Sequence, residues 1–335
     1  MRRFAALPAA CVLLCALAAS QAIINPPKPA GVNTAVLWKD PGNVKSLDLF
    51  YGPGGKKDQP HLPVKFTKED MHGTSPKFEV KDQDGTKWKA KMGPEARPEV
   101  AAARLLWAMG YGANENYFFS DLKVQNLPSH LKRGRNFVAA PDEVKAVRLQ
   151  RHPGGEKKSG NWSWRHNPFV GTREFNGLRV MMALINNWDL KDDNNAIFED
   201  PSSRGRALYA VTDVGASFGP AGENYTDERS KGNLKAYMHS KFISKANRDY
   251  VDFNFPTHAP FTDILFEPPF FWHQMRMRWV GKHIPRADAR WIGSRLAQLS
   301  PSQIRDAFRA AGFTPEQVET YATTLEHRIA ELNHL

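Results

Sequence analysis

From Val64 onward, apolar and charged positions alternate in short runs, the period of a half-buried strand. Phe78-Glu79-Val80-Lys81 is one such run, Asp84-Gly85 is a hairpin turn signal, and Thr86 to Met92 alternates again. Lys87, Lys89 and Lys91 therefore share one face. A helix follows, with Pro98 in its first turn, Glu99 beside it, an apolar body from Val100 to Met109, and Gly110 and Gly112 as a stop. Tyr117-Phe118-Phe119 and Glu143 to Leu149 read as further strands, separated by a basic, Pro-containing insertion. Glu174 to Trp188 reads as a buried helix on Leu178, Met182 and Ile185, and Pro220 to Thr262 as a long irregular segment. Trp272 to Val280 has helical character. Ser300-Pro301-Ser302-Gln303 and Thr314-Pro315-Glu316-Gln317 are capping boxes opening two terminal helices. The second of these carries Val318, Tyr321, Leu325, Ile329 and Leu332 on one face.

The first residues add a compartment. Met1-Arg2-Arg3, an apolar run from Phe4 to Ala19 and Ser20-Gln21-Ala22 make a secretory signal peptide over residues 1–22. The run is shorter than a membrane span and is interrupted by Pro8. The exported chain is expected to be periplasmic or secreted, with no transmembrane span. Both cysteines, Cys11 and Cys15, lie in the signal, which excludes disulfides, thiol nucleophiles and Cys-ligated metals from the remainder. Removing Arg2 and Arg3 from 46 basic residues leaves 44 against 35 acidic ones, a balance that favours anionic partners. No nucleic-acid motif is present, and nucleic acid is not an expected partner. Residues 23–63 read as an extended arm, rich in Pro and Gly around Ala35-Val36-Leu37-Trp38.

The chemistry concentrates between Asn187 and Gly219. Asp189-Leu190-Lys191-Asp192-Asp193-Asn194 and Asp213-Val214-Gly215 are acid-rich turns, each beside an apolar strand-like run. A hairpin would bring Asp189, Asn194 and Asp213 to one point, where carboxylate and amide oxygens suit Mg²⁺. A Ca²⁺ loop fits less well, because the central Gly and terminal Glu of an EF-hand are missing.

An Asp, a Lys two residues later and an Asn five residues later, then an Asp-x-Gly turn, resemble the catalytic core of the protein-kinase-like superfamily. The longer Asp-x-Gly-x-x-Phe-Gly ending at Gly219 is similar to the phosphoinositide-kinase and HipA branch, and export adds a likeness to secretory kinases. The resemblance implies an α+β, two-lobed fold: an antiparallel-sheet N-lobe with one helix (64–150) and a mainly helical C-lobe (151–335), with an adenine-facing hinge at 151–155. It implies Asp189 as catalytic base, Lys191 on the transferred phosphoryl, and Asn194 and Asp213 as ligands of Mg²⁺ or Mn²⁺. Gly73, Ser75 and Lys77 would form the turn over the phosphates of ATP, and Lys91, held by Glu99, would neutralise them. Period alone leaves Lys89 open beside Lys91, and Glu95 is the next candidate after Glu99.

Competing chemistry is sparse. Neither His-Glu-x-x-His nor Gly-x-Ser-x-Gly occurs, and Gly52-Pro53-Gly54-Gly55-Lys56-Lys57 lacks phosphate-loop spacing. Trp162, Trp164 and Phe169 read as packing. The expectation is an exported ATP-dependent phosphotransferase acting on a hydroxyl of a protein, lipid or glycan, with the basic charge favouring an anionic one. The alternatives are an inert kinase-like binding module of the envelope and a nucleotidyl transferase on the same fold.

Overall fold

The computed structural model describes residues 34–73, 75–151, 157–199, 206–220, 231–254, 265 and 268–335. The expected signal peptide and hinge residues 152–155 lie outside the described residues. A short strand, β1 (Thr34–Val36), precedes five strands that close on themselves. These are β2 (Val64–Asp70), β3 (Lys77–Lys81), β4 (Lys87–Met92), β5 (Glu115–Gln125) and, after β6 (Val138–Ala140), β7 (Glu143–Arg151). They join in the order β4-β3-β2-β5-β7, and β7 pairs back to β4 from Met92↔Val147 to Lys89↔Gln150. The class is α+β, as expected. The wholly antiparallel sheet is corrected: β2 meets β5 in parallel, through Val64↔Val124 and Lys65↔Gln125. Closure has a physical cause, since inward residues of all five strands, Trp88 and Val124 among them, form one buried cluster. Leaving β2 and β5 unpaired would open that cluster and two strand edges to water.

Because Trp88, Ala90 and Met92 point inward, Lys87, Lys89 and Lys91 point out. Helix α1 (Ala96–Ala108) lies over this outer side and packs on β5 and β7. Its Ala101, Ala102 and Ala103 are all buried, so both of its sides are covered.

Helix α2 (Arg173–Leu184) is capped by Thr172, whose side chain accepts from the Phe175 N–H. It ends at Leu184 rather than at Trp188. Asn186 adopts φ +51°, the Asn187 N–H reaches Met182 O (2.9 Å) and the Asn186 N–H reaches Ala183 O (3.1 Å). This is a Schellman stop with Asn in the left-handed position, and it frees the following residues to form a loop. Strand β8 (Lys157–Gly160), β9 (Asn195–Glu199), β10 (Arg206–Val211) and β1 make a second sheet in the order β1-β10-β9-β8.

Pro220 to Thr262, expected as irregular, carries regular structure in its described part. Helix α3 (Leu234–His239) is followed by β11 (Ile243–Ala246) and β12 (Tyr250–Phe253), and β12 later pairs with β13 (Ile284–Pro285). Between them lies α4 (Pro268–Met277). The chain ends in α5 (Arg286–Leu296), α6 (Pro301–Ala310) and α7 (Pro315–Asn333). Both capping boxes form, whereas α5 starts after Pro285 without a side-chain cap and gave no sequence signal. Val318, Tyr321, Leu325, Ile329 and Leu332 are buried on one face of α7.

Residues 34–63 are tied to the helices. Trp38 Nε1 donates to Met109 O (2.7 Å), Arg295 grips Asp40 through two 2.9 Å bonds, and Gln303 Nε2 donates to Val44 O and Leu47 O. No helix among the described residues is long and apolar enough to cross a membrane.

Candidate functional site

The β9–β10 hairpin pairs Asn195 with Val211, so the residues just before β9 and just after β10 emerge at the same end. There Asn194 O accepts from the N–H groups of Thr212 (2.9 Å) and Asp213 (3.2 Å). Asn194 Nδ2 in turn donates to Asp189 O (2.6 Å), and the Asp189 N–H donates to Asn187 Oδ1 (3.1 Å). One hydrogen-bonded path thus fixes Asp189, Asn194 and Asp213 together. Lys191 Nζ stands 3.0 Å from Asp189 Oδ1, although no donor is aligned on that buried oxygen. From the barrel side, Asn114 Nδ2 holds Thr212 O at 2.8 Å.

Lys91 enters from β4. Its side chain is 6% exposed, and Nζ lies 3.2 Å from Asp213 Oδ1, 3.3 Å from Asp213 Oδ2 and 3.5 Å from Glu99 Oε2. Its tightest contact is with Glu95. Lys89 instead pairs with Asp70 at 3.3 Å, so Lys91 is the residue of this face that turns into the cluster. The two glutamates are not alternatives, since Lys91 touches both. Arg148 Nη2 reaches Glu99 Oε2 at 3.0 Å, while Glu99 Oε1 is buried without a hydrogen-bond partner.

Charge is strongly coupled here. Burial pulls the Lys91 pKa down, but the carboxylates of Glu99, Asp213 and Glu95 outweigh it and hold the ammonium well above its ordinary range. Burial pushes the fully enclosed Glu99 up to about 7, against the pull of Arg148 and Lys91. Glu95 is also raised by burial, but Lys91 and Lys231 more than reverse this and leave it well below the ordinary carboxylate range.

The turn between β2 and β3 supplies the remaining expected residues. Gly73 has φ +70°, and a Cβ there would stand 3.3 Å from Lys77 Nζ, so the lysine folds back along the turn. Burial lowers the Lys77 pKa despite Asp70, whose carboxylate is 4.0 Å away. Ser75 Oγ does not project freely and donates to Glu95 Oε2 at 3.0 Å.

One carboxylate oxygen from each of Glu95, Glu99 and Asp213 lies within 4.8 Å of the other two, with the Lys91 ammonium touching all three residues. The expected metal pair, Asn194 and Asp213, offers only oxygen: the amide nitrogen of Asn194 is already committed, and its Oδ1 remains as an acceptor. Such a donor set fits a hard cation.

No protein-family model matches the chain, and a search of curated proteins finds no match. Among solved structures, the chain is similar to the crystal structure of CtkA, a proinflammatory kinase of Helicobacter pylori. Identity is 10% and the TM-score 0.42, over 82% of this chain and 97% of that one. A likeness of that size adds no weight to either fold or function.

Sequence reading missed three members of the cluster: Arg148, Lys231 and the hydroxyl of Ser75 as a ligand of Glu95. Arg148 lies in the strand run Val144-Lys145-Ala146-Val147-Arg148-Leu149, and only packing decides that it is buried and must find a partner while Lys145 is exposed. Gly215 has a role that only packing reveals. A Cβ at this position would sit 2.7 Å from Glu95 Cβ and 3.2 Å from Glu99 Oε2. Gly215→Ala is therefore expected to push the Asp213 turn off α1 at a cost of about 1–3 kcal/mol, read as a lowered midpoint in urea. A wild-type midpoint would show that the turn does not rest on α1.

Proposed function

We propose that this chain is an exported, ATP-dependent phosphotransferase of the atypical kinase-like type, built as two lobes around the cluster described above. The observation that carries the reading is the meeting of Lys91 with Glu99 and with Asp213, which is 122 residues away in sequence, beside the Asp189–Asn194 loop. In this reading Asp213 and Asn194 hold Mg²⁺ or Mn²⁺, which when bound would neutralise charge on the nucleotide phosphates. Lys91, fixed by Glu99 and Glu95, places a permanent positive charge against those phosphates. Gly73, Ser75 and Lys77 lie on the turn that covers them. Asp189 orients the acceptor hydroxyl and takes its proton, and Lys191, already beside that carboxylate, meets the transferred group. Catalysis of this kind rests on positioning and charge stabilisation. The acceptor is a hydroxyl of a protein, lipid or glycan.

One observation favours a second reading, the inert binding module. Glu95, Glu99 and Asp213 are already neutralised by Lys91, Arg148 and Lys231, so the cluster is self-sufficient as it stands. A thermal shift with ATP and Mg²⁺ or Mn²⁺ separates the two. A ligand that binds only the folded chain raises its melting temperature, by the equivalent of about 2.7 kcal/mol at a hundredfold excess over Kd. The expected result is a metal-dependent rise that Asp213→Ala abolishes. No rise with any nucleotide would leave the binding module standing. Intact mass of a modified acceptor then distinguishes phosphate from nucleotide addition.

A further inference from the structure

Glu95 gathers four separate pieces of chain. It immediately precedes α1, receives Ser75 Oγ from the β2–β3 turn and Lys91 from β4, and through Oε1 receives Lys231 Nζ at 2.5 Å. Lys231 is the unexpected member. Its side chain is only 11% exposed, and its neighbours fix its place: the Gly232 N–H donates to Ser217 O (2.9 Å), and Asn233 caps α3. Lys91 and Ser75 both meet Glu95 Oε2, and Lys231 takes Oε1, so Lys231 completes the neutralisation of the cluster as the third cation against three carboxylates. Its position also fits it for a second task. Lys231 Nζ also lies 5.8 Å from the ring centre of Trp188, the residue before Asp189. It therefore stands between the Lys91–Glu95 cluster and the loop of the proposed base.

We infer that Lys231 is a second phosphate-binding residue of this site, contacting the terminal phosphates of a nucleoside triphosphate from the Asp189 side while Lys91 contacts them from the barrel side. This rests on the phosphotransferase reading. Glu95 holds the Lys231 ammonium away from solvent beside the cluster until a more highly charged anion arrives. The ligand class is a polyphosphate, so a nucleotide with a single phosphate should gain nothing from Lys231.

The test is calorimetric titration of the exported chain with ATP and with AMP, each with Mn²⁺, for wild type, Lys231→Ala, Lys231→Met and Lys231→Arg. Loss of a charge-assisted contact is expected to weaken ATP about tenfold or more and leave AMP within about twofold. Lys231→Arg should recover most of the ATP affinity. Lys231→Met keeps a side chain of similar length without the charge, so the ratio of ATP to AMP affinity can be read on it even if the alanine variant folds poorly. An equal loss for ATP and AMP, or no loss for ATP, would reduce Lys231 to a structural ion pair and overturn the inference while the phosphotransferase reading stands. A wild-type chain that binds neither nucleotide would overturn both.

Discussion

Lys91→Met is expected to remove phosphotransfer and the metal-dependent nucleotide shift, by at least about 100-fold in either readout. Methionine fills much of the same space but leaves Glu95, Glu99 and Asp213 without the one cation that touches all three. The stability cost should stay below the ~3–5 kcal/mol of a wholly unpaired buried charge, because Lys231 remains on Glu95 and Arg148 on Glu99. The pH profile then carries a sign. Burial already pushes Glu99 from 4.5 up to about 7 with Lys91 beside it, and losing Lys91 raises it further. A carboxyl that binds its proton more tightly in the folded chain supports the fold below its ordinary pKa, and that support is lost as pH rises through its folded pKa. The melting temperature of Lys91→Met should thus keep falling above about pH 7, where the Glu99 contribution of wild type levels off. Parallel profiles would show that Glu99 takes no proton in the variant. Retained phosphotransfer would remove Lys91 from its assigned role.

Arg328→Met is expected to be the most destabilising change away from the cluster, at about 3 kcal/mol or more. Arg328 lies on α7 but its guanidinium is spent on other segments. Nη1 donates to Leu184 O and Asn186 Oδ1 (both 2.8 Å), and Nη2 to Tyr237 O (3.1 Å) and to Ser240 O and Oγ (3.3 and 2.7 Å). The group also stacks 4.0 Å from the ring centre of Tyr237. Burial lowers its pKa, and the charge is met by carbonyl dipoles, including those at the C-terminal end of α2. Methionine would leave several of these acceptors buried without donors. It would also release Asn186, the left-handed residue that turns the chain toward Asp189, so reduced activity should accompany the lower stability. A urea midpoint close to wild type would show that water replaces the guanidinium there.

Local chemistry in the sequence was enough to place much of this molecule. Alternation set β3 and β4 and the lysine face, the capping boxes set α6 and α7, and the spacing of Asp189, Asn194 and Asp213 anticipated their meeting at one end of a hairpin. These signals depend on neighbours within a few residues, where sequence and geometry are nearly the same thing. The tertiary structure decided what depends on distant partners. It closed the barrel through two parallel pairs, stopped α2 at an Asn whose amide and carbonyl are held by Gly219 O, Ser240 and Arg328, and built a strand pair where the chain read as irregular. It also chose Lys91 over Lys89, joined Glu95 to Glu99, and brought Arg148 and Lys231 to them. A period of two gives the face on which a lysine lies. Which lysine of that face is buried depends on where α1 crosses it, and that is fixed by packing between segments far apart in the chain.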